Sequence, residues 1–125
     1  PDWTGTGLGI SKAQTVEVLG KTIQFEPLNQ VELEMKRIFK PINSKGFFDG
    51  EVLLDEKFTK TGMLAALKNQ RPLVHIASHF KFEPGDESRS FLLLGNTETM
   101  TLDELKKEKG LFNGVELLTL SACQT

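Results

Sequence analysis

Leu73-Val74-His75-Ile76-Ala77 is the stretch that decides the fold. Its residues do not alternate between apolar and polar, so neither face is meant for water, the pattern of a strand covered on both sides in a parallel sheet. Val115 to Leu120 repeats it near the other end of the chain. Parallel strands need crossovers between them, and helical patterns fill the intervals. Leu28, Val31, Met35, Ile38 and Phe39 recur at helical spacing, with Asn29 three residues before Glu32 in a capping-box-like arrangement and Pro41 as the stop. A further strand spans 51–54 around Val52, Leu53 and Leu54. Thr61 is the candidate N-cap of a second helix carrying Met63, Leu64 and Leu67, with Pro72 just beyond it. Thr101 and Glu104 form a T-x-x-E capping box for a third helix, running to about Lys109 and stopped by Gly110.

The remaining segments read as strands or connections. Val16 to Phe25 holds two short β-type runs around Leu19-Gly20-Lys21, the pattern of a hairpin or an irregular strand. Phe80 and Phe82 alternate with polar residues, 83–89 (EPGDESR) turns the chain, and Phe91 to Leu94 runs back, predicting a β-hairpin after the histidine-bearing strand. Residues 1–12 carry Gly5, Gly7 and Gly9, follow neither period, and read as an irregular arm. The order strand, helix, strand, helix, strand, hairpin, helix, strand predicts one α/β domain over 1–125, mostly a parallel sheet with helices on both faces.

Composition narrows the function. Fifteen Lys and Arg balance 17 Asp and Glu for a net charge of -2, which is no footprint for direct nucleic-acid binding by this segment. A single Cys cannot pair within the chain and fits a reducing compartment. No apolar run reaches the length of a membrane span and no export signal opens the chain, so the reading is cytoplasmic with no membrane partner. The chain begins at Pro1 and stops at Thr125, two residues after its only cysteine, and so reads as an excised piece.

In open α/β sheets, sites gather at the carboxyl ends of the strands. Just past Ala77 lie Ser78 and His79; just past Leu120 lie Ser121, Ala122 and Cys123. A cysteine nucleophile needs thiolate character, and a neighbouring imidazole supplies it and later returns the proton to a leaving amine. The bland alternatives are a small buried thiol and a surface or capping histidine. His75, inside the strand, reads as a core imidazole with a backbone hydrogen bond. Gly5, Gly7 and Gly9 form G-x-G-x-G, but with no strand before them and no helix after them a dinucleotide site is not expected. Asp49, Asp55, Asp86 and Glu87 stand in turn-like, charge-rich surroundings and read as solvated surface, so neither metal nor cofactor is expected.

The local signature goes further. Ala122-Cys123-Gln124 shares its centre with the caspase motif Q-A-C-[RQG]-G, and His79 lies 44 residues before the cysteine, against roughly 50 there. Taken with Gly7-Leu8-Gly9-Ile10-Ser11, with 74–79 (VHIASH), with 90–94 (SFLLL), with 102–105 (LDEL) and with 118–125 (LTLSACQT), the chain resembles the CHAT domain, a caspase-like and separase-like cysteine peptidase family of bacteria. The resemblance implies a caspase-like three-layer sandwich and a cysteine endopeptidase with His79 and Cys123 as a catalytic dyad. It also implies an oxyanion hole made by the N–H groups of Phe80 and Cys123. CHAT domains often carry Gly after the catalytic histidine, and Phe80 departs from that. A phenylalanine offers the same N–H but fewer conformations, which is what the alternative, a catalytically silent regulatory or interaction module, stands on. The implied partners are a peptide or protein substrate and the remainder of the same peptidase domain beyond Thr125. Tetratricopeptide repeats or a CRISPR effector assembly follow from the same resemblance.

Overall fold

The computed structural model describes the backbone of residues 3–124 and the side chains of residues 3–121. Four parallel strands lie in the order β4 (Asp49–Leu54), β1 (Thr4–Gly9), β5 (Leu73–Lys81), β8 (Leu117–Gln124). β8 lines one edge of β5 as far as Phe80. The short antiparallel strands β6 (Phe91–Leu93) and β7 (Thr99–Thr101) therefore continue the other edge, beyond the point where β1 ends. β2 (Gln14–Val18) and β3 (Lys21–Phe25) form a separate hairpin whose turn residues, Leu19 and Gly20, both have positive φ, 52° and 78°, as a two-residue turn matched to strand twist requires.

The glycine-rich start is not an arm. It is β1, between β4 and β5 and buried from Gly5 onward. Gly5, Gly7 and Gly9 fall on one face and carry no side chains, so the alternation of a strand is visible only from Thr6, Leu8 and Ile10 on the other. The bare face admits α1 (Val31–Ile38). A Cβ at Gly5 or Gly7 would stand 2.7 Å from the Phe39 ring, and one at Gly9 would stand 3.0 Å from Val31 Cγ1. Met35 and Phe39 are fully buried in that groove. On the opposite face lies α2 (Lys60–Leu67), where a Cβ at Gly62 would stand 3.4 Å from Cδ1 of Leu53, the residue abreast of Leu8. Helices thus cover both faces.

The helix starts differ in part from the sequence reading. α1 begins at Val31, with Gln30 as its cap and no side-chain bond, so the Asn29–Glu32 box is not formed. Thr59 rather than Thr61 caps α2, accepting from the Gly62 N–H at 3.0 Å. α3 (Leu102–Lys107) has the box as read: Thr101 Oγ1 accepts from the Glu104 N–H and Glu104 Oε1 accepts from the Thr101 N–H, each at 3.1 Å. It stops two residues before Lys109. Lys60 Nζ also donates to Glu104 Oε2, and this bond, with those from Thr101, holds the Glu104 carboxyl below the usual glutamate value.

Two outcomes follow. Gly7→Ala forces its methyl into Phe39 and Met35 and lowers stability by about 1–3 kcal/mol; combined with Phe39→Leu the loss is less than additive in denaturant titration. A carboxyl with a depressed folded-state pKa stabilises above its ordinary value of 4.5 and loses that contribution as pH falls through the folded pKa. Glu104→Gln therefore lowers Tm near pH 7, and the difference from wild type shrinks as pH falls below 4.5.

Candidate active site

His79 lies near the carboxyl end of β5, two residues past Ala77, where the pairing with β1 stops. Alternation puts Leu73, His75, Ala77, His79 and Lys81 on the face that α1 covers, since His75 stands abreast of Gly7. The imidazole is 3% exposed. Its Nε2 lies 2.8 Å from the Glu26 main-chain oxygen. A carbonyl oxygen only accepts, so Nε2 carries the hydrogen, and in the neutral ring Nδ1 is left with a bare lone pair. That Nδ1 is buried and has no hydrogen-bond partner among the described residues.

Residues just before α1 hold this ring. The Phe25 ring packs on His79 at 5.1 Å between centroids, and Phe91 meets Phe25 edge-on at 6.2 Å. Glu26 precedes Pro27, which restricts it to extended conformations, and the Leu28 N–H donates to the Ser11 carbonyl at 2.9 Å. The direction of the Glu26 carbonyl is thereby constrained on both sides. Neither Phe25 nor Glu26 stands out in the sequence, because one acts by shape and the other by its main chain. The signal the sequence offers is Pro27, which holds the residue before it extended.

Cys123 belongs to β8, and its backbone is the partner of His79 in the β5–β8 pairing. Neighbouring strands run about 4.8 Å apart, so residues 44 positions apart in sequence share one rung. The Cys123 side chain lies outside the described residues. Phe80 occupies the next rung with a strand neighbour on each edge, Gln124 on one and Leu92 on the other, and its ring stacks on Phe82 at 6.4 Å. Its N–H is therefore directed at a neighbouring strand.

The other singled-out residues have local structural roles. His75 is buried and lies 2.5 Å from Thr119 Oγ1 through Nδ1, a hydroxyl partner rather than the expected backbone one. Its Nε2 is 3.4 Å from Glu34 Oε1 of α1, without a hydrogen bond. Asp55 accepts from the Ser11 N–H and hydroxyl, both at 2.8 Å, and from the Lys12 N–H at 3.1 Å. Asp86 accepts from the Ser88 N–H and hydroxyl. No group of three or more metal-ligating side chains occurs among the described residues. No helix among them is long and apolar enough to cross a membrane.

The sequence model of the CHAT domain matches residues 4–125. No curated protein and no solved structure matches the chain.

The geometry predicts the Nε2–H tautomer for His79 in the intact protein, read from long-range 1H–15N correlations of the ring. A ring protonated at Nδ1 alone would contradict it. Phe25→Ala costs about 3–5 kcal/mol and converts that single tautomer into a mixture.

Proposed function

The chain belongs to the CHAT-domain family, which is associated with caspase-like cysteine peptidases, and on that premise we propose that it is a cysteine endopeptidase with Cys123 as nucleophile and His79 as its acid–base partner. The observation that carries the reading is the buried Nδ1 of His79, without a partner among the described residues, on the rung His79 shares with Cys123. Burying a polar atom without a partner costs free energy; His75 Nε2 is buried in the same way beside Glu34, and what sets His79 apart is the rung its residue shares with the cysteine.

The chemistry follows from that nitrogen. Nδ1 takes the proton of the Cys123 thiol, and the imidazolium is stabilised because its Nε2–H already donates to the Glu26 carbonyl. The thiolate attacks the scissile carbonyl carbon, and the displaced electron pair moves to the oxygen, where the Cys123 N–H is the proposed donor. Collapse breaks the C–N bond as Nδ1–H protonates the leaving amine, leaving a thioester. Water, deprotonated by Nδ1, then hydrolyses the thioester and the thiol is restored. Phe80, the second proposed donor, contributes its N–H once that group is turned away from the neighbouring strands.

On this reading the sheet is part of a caspase-like three-layer domain. β8 supports it: Leu117, Leu118 and Leu120 are 48%, 49% and 58% exposed, an apolar edge suited to a further portion of the same domain. The remaining proposed partners are a peptide or protein substrate and, by family resemblance, tetratricopeptide repeats or a CRISPR effector assembly. A second reading, a catalytically silent interaction module, draws support from Phe80, whose neighbours on both edges hold its N–H within the sheet.

In the intact protein, an electrophilic thiol probe labels Cys123. His79→Ala lowers both labelling and proteolysis by a factor on the order of 10³ or more. Labelling that survives Cys123→Ala, or full proteolysis by His79→Ala, overturns the dyad. A labelling rate that rises with pH as for a free thiol, with pKa about 8.5, favours the silent module.

A further inference from the structure

We propose that the pocket beside His79, between the β2–β3 hairpin and the far ends of β5 and β6, receives an acidic side chain of the substrate next to the scissile bond. The proposal rests on the peptidase reading above and names the substrate class that site would select. Its volume is about 290 Å³, enough for one aspartate or glutamate side chain with its water. A strand spacing and a shared ring relate it to the imidazole. Lys81, in its wall, lies two residues beyond His79 on the same face of β5, roughly 7 Å along the strand. Phe91, abreast of Lys81, packs on the same Phe25 ring that packs on His79.

Charge decides the occupant. Lys21, Lys81 and Arg89 line the pocket against a single carboxylate, Glu83, in a chain whose net charge is -2. Lys21 has no ion-pair partner among the described residues. Lys81 meets Glu83 at 3.6 Å and Arg89 meets Asp86 at 3.4 Å, both partly exposed, and pairs of that kind are weak enough to exchange partners with an incoming carboxylate. Val18, Ile23 and Phe91 supply the apolar part of the wall. They give the methylene stem of an acidic side chain a surface to cover and lower the local dielectric in which its charge meets the cations. A basic side chain would face net repulsion there, and a purely apolar one would leave Lys21 uncompensated.

The test uses the intact protein and a proteome-derived peptide library, with Cys123→Ala as the control. The expected result is cleavage that depends on Cys123, with Asp or Glu enriched beside the cleaved bond. For matched peptides differing only as Glu against Gln at that position, the ratio of kcat/KM falls roughly three- to tenfold in Lys21→Gln/Arg89→Gln. It also falls as salt is raised from about 0.05 to about 0.5 M. The ratio is independent of how much of the variant is active. Cleavage that depends on Cys123 without acidic enrichment, or a ratio unchanged in the double variant, overturns the pocket and leaves the peptidase reading standing. Absence of any Cys123-dependent cleavage overturns the peptidase reading, and the pocket's role with it.

Discussion

The contact on which the rest of this structure leans is the seating of Phe39 and Met35 of the first helical segment on the bare face of Gly5, Gly7 and Gly9. It lets a helix approach a central strand more closely than side chains would permit, and it fixes where the chain must stand immediately before that helix. Those preceding residues are Phe25, Glu26 and Pro27, the ones that hold His79. The glycine spacing is therefore neither a phosphate cradle nor a flexible leader. It is a packing device whose effect reaches the imidazole through one helix and a short segment of extended chain.

Different parts of the fold were legible for different reasons. The run at 73–77 could be read because a strand buried on both faces shows it in every residue. The run at 115–120 has the same composition and is a strand from Leu117 on, but Leu117, Leu118 and Leu120 stand about half-exposed, so the expected cover on both faces is not found there among the described residues. The Thr101–Glu104 box could be read because both partners are side chains at a fixed offset. β1 could not, since half of its pattern is carried by glycines and the eye is left with turn-like composition. The Asn29–Glu32 spacing was present without its geometry, and Thr59 took the cap that Thr61 was expected to hold. β7, three residues long, is too short for any period to emerge and depends on its neighbour β6.

The candidate site was legible to the level of strand ends and no further. That His79 and Cys123 belong to one rim follows from a general rule about parallel sheets. That they share a rung is a matter of register, and a slip of one residue would move the cysteine to the opposite face. No local pattern encodes that choice; it is set by the whole length of the β5–β8 pairing, from Leu73 with Leu117 onward. The tautomer of His79 was equally out of reach, because it depends on a main-chain oxygen far away in sequence, and a main-chain atom leaves no trace in residue type.

Phe80 weighs less in the choice between enzyme and silent module than its position first suggests. The contact that holds it from the β6 side is only two rungs long, Phe80 with Leu92 and Lys81 with Phe91, against eight rungs between β5 and β8. A net backbone hydrogen bond is worth about 0.5–1.5 kcal/mol, so freeing one N–H at the end of so short a ladder is within reach of the binding energy of a substrate or activator. What cannot be supplied from outside so cheaply is a buried imidazole already oriented by a carbonyl on one nitrogen and, among the described residues, unpartnered on the other. The balance between the two readings therefore turns on the ionisation of the Cys123 thiol, whose backbone shares that rung, rather than on the residue that follows the histidine.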